Sequence, residues 1–309
     1  MSTSATTVRK PIAPAHDGMG LQHAIAFMVM VLPILGTALA GYLWVRYGIG
    51  KLEIGIFLFM YLLTMGGMTI GLHRYFAHRS FETGPCMRVL LAILGSMSTQ
   101  GPILSWVTIH RKHHAFSDRP GDPHSPHVHG NRMFGMLNGL WHAHIGWMYT
   151  ENSADWGFSR DLMGDRALFW VHRTYLYWVA LSFVLPGILG GLMARTWQGA
   201  ALGFLWGGLV RCFVVNQASW CVGSICHYFG TRRFETNDHS ANNYLVAVFT
   251  FGEGLQNNHH AFPSAARHGL RWWEPDFSGT LIHVLKALGL VWNPYHPSDE
   301  AIEKLRKAA

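Results

Sequence analysis

The chain has 309 residues, of which 50% are hydrophobic and only 13% are charged, and its net charge is +7 with neutral histidines. Soluble domains usually carry about 25% charged residues, so this composition argues against an ordinary soluble enzyme. The high apolar content excludes a disordered chain. The positive balance suits an anionic lipid surface or a phosphorylated substrate as well as it suits nucleic acid. Because long apolar runs follow, we expect a lipid bilayer and no nucleic acid.

Residues 1–22 form a polar segment without the pattern of a cleaved signal peptide. Four apolar runs follow, each close to the length of about 20 residues that a helix needs to cross hydrocarbon. They are residues 24–45, 54–72, 174–194 and 197–220. Arg211 interrupts the fourth run, and must face protein or snorkel if that run crosses. The sequence predicts an all-α integral membrane protein with four transmembrane helices, in which residues 23–293 form one membrane domain and residues 294–309 a short tail.

The distribution of lysine and arginine predicts the orientation in the membrane. Nine of these residues lie in the segment 74–166 and eight lie in the segment 232–309, whereas the two hairpin loops carry only Arg46, Lys51 and Arg195. Positive residues accumulate on the cytoplasmic side of membrane proteins. We therefore expect both termini and the long middle segment to be cytoplasmic.

Three groups of metal-ligating side chains follow the second run or lie in the segments predicted to be cytoplasmic. In chain order they are His73 and His78; His110, His113 and His114; and Gln256, His259 and His260. The second and third groups have i, i+3, i+4 spacing, so each shares one face of a helix. The first pair is five residues apart, which fits no face of a regular α-helix, so we expect the helix to end or to overwind there. One shared metal centre requires all groups on one side of the membrane, which supports the fourth crossing.

So many nitrogen ligands exceed the needs of one ion, which favours a di-metal site. Imidazole binds zinc, copper, iron and nickel. The sequence contains neither the HExxH motif of zinc peptidases nor the Glu-x-x-His pairs of soluble di-iron bundles. A histidine-rich membrane site fits oxygen chemistry on two irons. We interpret His124, His127, His129 and His283 as ordinary hydrogen-bonding residues.

Taken together, these motifs resemble the membrane fatty-acyl desaturases of the stearoyl-CoA (Δ9) type. The matching segments are residues 71–81, 106–114, 122–124, 144–147, 224–230 and 252–263. The resemblance implies four membrane helices under a cytosolic helical cap that holds two irons. The implied ligands are His73, His78, His110, His113, His114, His227, His259 and His260, of which His227 comes from the resemblance alone. It also implies O2-dependent formation of a cis double bond, at Δ9, in an acyl chain carried on CoA, acyl-carrier protein or lipid.

The resemblance further implies a bent acyl tunnel near Trp106 and the pair Ser219 and Trp220. Electrons would come from a separate ferredoxin, rubredoxin or cytochrome b5 with its reductase, since we recognise no fused cytochrome b5 domain, and the compact length suggests a bacterial inner-membrane enzyme. Two positions depart from the family: Gln256 stands where histidine is common, and Gly223 where animal relatives have asparagine. A glutamine oxygen coordinates more weakly than imidazole, so Gln256 is the weakest of the candidate ligands.

Two alternatives of a different kind stay open from the residues. A membrane di-iron hydroxylase or alkane oxygenase would use the same ligands and differ in its oxygenated product. A metal transporter or sensor would carry its histidines within the spans along a conduction path, whereas the groups in this chain follow the second run or lie in the segments predicted to be cytoplasmic.

Overall fold

The computed structural model describes residues 19–127, 130, 132–150 and 155–306. Most of the predicted polar segment 1–22, the end of the predicted tail 294–309, and His129 therefore lie outside the described residues. Within the described part, four helices are long and apolar enough to cross a membrane: His23–Tyr47, Lys51–Ala77, Tyr175–Ala194 and Trp197–His227. The predicted all-α membrane fold is confirmed. The second and fourth helices run beyond the predicted ends because they continue into polar, histidine-bearing turns.

The elements follow one another along the chain with short connections. The α-helices are α1 Met19–Tyr47, α2 Lys51–Gly66, α3 Pro85–Met97, α4 Ile103–Phe116, α5 Met133–His144, α6 Arg160–Met163, α7 Arg166–Arg173, α8 Tyr175–Ala194, α9 Trp197–Gly203, α10 Arg211–Ser224, α11 Tyr244–Phe249, α12 Gln256–Ala261, α13 Phe277–Ala287 and α14 Asp299–Leu305. Two π-helices, Gly67–Ala77 and Phe204–Val210, continue α2 and α9, and three 3-10 turns lie at Gly146–Tyr149, Trp156–Ser159 and Ile225–His227. The strands are β1 Glu82–Thr83 and β2 Val291–Trp292.

The main hydrophobic core joins the second membrane helix to the shorter helices around it. Met65, Leu104, Val215 and Ile282 belong to one buried cluster and come from α2, α4, α10 and α13. Strands β1 and β2 pair antiparallel, which ties the segment after the second membrane helix to the segment after α13. Residues far apart in sequence are thus packed around the end of the second membrane helix, where its histidines lie.

The change from α-helix to π-helix at Gly67 explains the spacing of His73 and His78. In a π-helix the backbone bonds run from i to i+5, and the His78 N–H donates to the His73 carbonyl at 3.1 Å. The two imidazoles therefore lie one turn apart, with ring centroids separated by 4.8 Å. The prediction that the helix ends at this point is confirmed, because the π-helix stops at Ala77. The prediction of overwinding is wrong, because a π-helix is wider than an α-helix.

Arg211 lies inside the fourth membrane helix and is completely buried in protein. Its guanidinium donates to the carbonyls of Gly207 at 3.1 Å, Ser182 at 3.0 Å and Met97 at 3.4 Å. The Ser182 carbonyl is free because Pro186, four residues later, has no N–H to donate. The Met97 carbonyl is free because α3 ends there. Arg211 thus faces protein, as one of the two predicted possibilities had it, and satisfies carbonyls that no membrane water could reach.

Candidate metal centre

Five imidazoles converge where the second membrane helix ends, and we call this group the first site. His73 and His78 come from the π-helix and its end, His110 and His114 from α4, and His259 from α12. One ring nitrogen of each lies within 4.8 Å of the others. The Nε2–Nε2 distances are 3.0 Å for His73 and His259, 2.7 Å for His78 and His110, and 3.0 Å for His114 and His259.

A second site, formed by three histidines, lies beside the first. Ring nitrogens of His113, His227 and His260 lie within 4.8 Å of one another. Among the described residues, the buried Nε2 atoms of His227 and His260 have no hydrogen-bond partner. The Nδ1 atom of each histidine contacts an aspartate: His113 with Asp122 at 3.0 Å, His227 with Asp118 at 2.8 Å and His260 with Asp238 at 2.5 Å.

The aspartates orient the rings of the second site. Burial acts to raise the pKa of Asp118 and Asp122, but hydrogen bonds and charge from His227 and His113 hold both pKa values well below the usual range. The ionised carboxylates therefore accept the Nδ1–H of each ring and leave the Nε2 lone pair free. Burial, partly offset by Asp238, lowers the pKa of His260 to about 4, so that ring is neutral at physiological pH.

The rings of the first site are neutral for the same reason. Burial, followed by the neighbouring imidazoles, lowers the pKa of His110, His114 and His259 well below the usual value. Glu253 holds the other side of this site, since its carboxylate pairs with His73 Nδ1. The same carboxylate accepts from the buried Arg74 at 3.2 Å. The sequence analysis gave none of these carboxylates a role, although Asp122 and Glu253 lie in the matched segments.

This donor set fits metal ions. Unprotonated nitrogens that face one another at 2.7–3.0 Å repel unless a cation lies between their lone pairs. Two imidazole nitrogens bound at right angles to one ion, each at about 2.1 Å, would be about 3.0 Å apart. The first site meets this spacing, and the free Nε2 atoms of the second site supply a further set of donors. Both sites therefore fit a bound metal ion.

Two side chains next to the second site bear on its composition. Gln256 begins α12, is buried, and its Oε1 lacks a hydrogen-bond partner within the described ranges. The ring of His124 stacks on His113 at 4.4 Å, and the two form with Asp122 another group that could hold a metal. A Cβ at Gly223 would lie 3.3 Å from His124 Nδ1, so His124 occupies the space beside this glycine. Metal ligation by Gln256, and an ordinary role for His124, stay predictions.

The other isolated histidines have conventional partners where the structure describes them. His127 Nε2 lies 2.8 Å from the His227 carbonyl, and His283 Nδ1 lies 2.7 Å from the Gly279 carbonyl. Both contacts agree with their interpretation as hydrogen-bonding residues, while His129 lies outside the described residues.

The three predicted substrate residues lie in two places. Trp106 is parallel to His110 at a centroid distance of 4.8 Å and is in edge contact with His73 at 6.1 Å, so it lies against the first site. Trp220 is buried and contacts the His144 ring at 5.8 Å. The neighbouring Ser219 Oγ is buried without a partner in the described part of the chain. Contact of these residues with an acyl chain stays a prediction.

Comparisons with known proteins agree with this geometry. The sequence model described as "Fatty acid desaturase" matches residues 52–279. The chain is 46% identical over 292 residues to a hex-5-enoyl-[acyl-carrier protein] acetylenase of Moorena producens, covering 94% of this chain and 91% of that protein. It is 37% identical to an sn-1 stearoyl-lipid 9-desaturase of Synechocystis, covering 81% and 74%. It is 31% identical to acyl-CoA desaturase 1 of Saccharomyces cerevisiae, covering 92% and 54%.

Proposed function

Since this chain belongs to the fatty acid desaturase family and is therefore an oxidoreductase, we propose that it introduces a cis double bond, at Δ9, into a saturated fatty-acyl chain. The reaction takes two hydrogens from adjacent CH2 groups, consumes one O2, two electrons and two protons, and leaves an alkene and two waters. The observation that carries the proposal is the pair of adjoining sites built from neutral imidazoles at the end of a membrane helix.

In this proposal the histidines hold two irons, which supply the oxidation of unactivated C–H bonds by O2. The first site uses His73, His78, His110, His114 and His259, and the second uses His113, His227, His260 and, more weakly, Gln256. The carboxylates on Nδ1 keep each ring in the tautomer that presents Nε2. Trp106, which lies against His110, covers the approach to the first site with an apolar face and would position the acyl chain.

The carrier of the acyl chain is CoA, acyl-carrier protein or a lipid. The relatives named above are described as acting on each of the three, and the relative at 46% identity is described by a substrate on acyl-carrier protein. We propose that electrons come from a separate ferredoxin, rubredoxin or cytochrome b5 with its reductase. We also propose that the enzyme lies in a bacterial inner membrane, with its metal centre and both termini cytoplasmic.

A second candidate is an acetylenase, which removes two more hydrogens from an existing double bond. The observation that favours it is the 46% identity, over nearly the whole chain, to a protein described as an acetylenase. The residues at the metal centre serve both reactions, because each begins from a C–H bond of an acyl chain.

The test is a fatty-acid profile of a bacterial host that lacks an aerobic desaturase of its own. The host expresses the chain together with a ferredoxin and its reductase, and a parallel culture expresses His113→Ala. Derivatisation and mass spectrometry then locate any new double bond. A cis-monoene found only with the wild-type chain supports the desaturase, and an alkyne supports the acetylenase. A hydroxylated product, or a monoene that persists in His113→Ala, contradicts the proposal.

A further inference from the structure

A ninth histidine, His268, lies against the first site, in the loop between α12 and α13. It is only 1% exposed. Its ring centroid is 4.5 Å from that of His259 and 5.4 Å from that of His73. Neither of its ring nitrogens has a hydrogen-bond partner that meets distance and angle criteria among the described residues. A buried polar ring with two unpaired nitrogens is unusual in a native protein and calls for an explanation.

The backbone holds His268 in place from both sides. Its N–H donates to Asp276 Oδ2 at 2.6 Å, and its carbonyl accepts from Asn258 Nδ2 at 2.9 Å. Asn258 directly precedes His259 on α12, and Asp276 also pairs with Arg74 at 2.9 Å. The loop is therefore fixed to the two helices that carry His73 and His259, and the position of the His268 ring beside them follows from these bonds.

His259 lacks the support that other histidines of the centre have. Carboxylates contact the Nδ1 atoms of His73, His113, His227 and His260. The Nδ1 of His259 is buried with no hydrogen-bond partner in the described ranges, although its Nε2 faces the first site. Histidines that bind a metal almost always donate their other N–H to an acceptor, which fixes the tautomer and the ring orientation.

His268 is placed to supply this acceptor. On its far side, Nδ1 lies 3.6 Å from Glu253 Oε2, the carboxylate that also contacts His73 Nδ1. His268 groups with His73 and Glu253 within 4.8 Å, but it is not a member of the five-nitrogen group of the first site. This placement favours a supporting role over direct ligation.

We propose that His268 is a positioning residue of the first site and links His259 to Glu253. Its Nδ1–H points to Glu253, and its Nε2 accepts the Nδ1–H of His259, either directly or through one buried water. One carboxylate then orients two metal-binding rings, His73 by direct contact and His259 through His268. The inference rests on the proposed metal centre and adds a residue to it.

The test measures metal release from purified protein, so it does not depend on turnover. Wild type, His268→Phe and His268→Gln are loaded with iron, and in parallel with cobalt(II), and a chelator is then added in excess. His283→Phe is the matched control, because His283 is bonded to the Gly279 carbonyl of its own helix. We expect wild type and His283→Phe to release both ions slowly. In His268→Phe, one ion should leave about 10- to 100-fold faster, the range found when such outer partners of metal ligands are removed.

The conservative variant distinguishes positioning from packing. Glutamine can still donate and accept, so His268→Gln should release that ion at a rate near wild type, and its cobalt(II) spectrum should match. Wild-type release rates in His268→Phe would overturn the inference, and so would equal acceleration in the Phe and Gln variants. If His268→Phe does not accumulate as folded protein, His268→Met replaces it in the same comparison. Wild-type protein that binds no metal would instead refute the proposed metal centre itself.

Discussion

Replacing Arg211 by methionine should destabilise the membrane domain, although Arg211 belongs to neither metal site. The change leaves the carbonyls of Ser182, Met97 and Gly207 without their donor in a region that water does not reach. Each unsatisfied buried carbonyl costs about 1–3 kcal/mol, and the lost desolvation penalty of the guanidinium offsets part of the sum. We therefore expect the free energy of unfolding to fall by about 3 kcal/mol, which is roughly a 150-fold change in the folding equilibrium.

A second substitution tests the cause of this loss. Pro186→Ala restores an N–H that can bond to the Ser182 carbonyl, so the double variant Pro186→Ala/Arg211→Met should recover about 1 kcal/mol relative to Arg211→Met alone. Arg173→Met, at an exposed arginine, is the control. The assay is reversible unfolding in mixed detergent micelles, followed by tryptophan fluorescence. If Arg211→Met unfolds with the free energy of the control, or if Pro186→Ala recovers nothing in the double variant, the reasoning is refuted.

Four further predictions concern the metal centre. His113→Ala should abolish double-bond formation while the chain still inserts into the membrane, as checked by product analysis and membrane fractionation; retained activity would remove His113 from the ligand set. Gln256→Ala should lower the iron content per chain and Gln256→His should be tolerated, as measured by elemental analysis; an unchanged iron content in the alanine variant would mean that Gln256 is not a ligand. Asp238→Asn should weaken metal binding at the second site by about 10- to 100-fold, because the amide orients His260 less firmly, and unchanged chelator competition would contradict this. Trp106→Ala should lower the rate or move the double bond, and an unaltered product profile would indicate that Trp106 only packs against His110.

The membrane helices could be predicted from the sequence because hydrocarbon demands long apolar runs. Their ends could not, because the second helix continues as a π-helix through residues that are polar but buried. His73 and His78 show the limit of spacing rules. Five residues are too many for an α-helical face, and the structure widens the helix where the prediction considered overwinding.

The ligand groups were visible because each is local in sequence, but their supports were not. Asp238 lies 22 residues from His260, and Glu253 lies 180 residues from His73, so no local pattern marks either pair. His268 is alone in its segment and resembles an ordinary histidine until the loop brings it to His259. His227 could be recognised only by the resemblance, since its second-site neighbours come from α4 and α12.

The most direct test of the account is a single reconstitution that couples metal content to product. Purified protein in lipid nanodiscs is loaded with iron and counted by elemental analysis. It is then supplied with O2, reduced ferredoxin, and stearoyl chains on CoA, acyl-carrier protein or lipid. The account predicts two irons per chain and an unsaturated product with one of these carriers, and both should be lost after chelation and restored by added iron. A product that forms at the same rate after complete removal of metal would contradict the central claim that the clustered histidines build the catalytic centre.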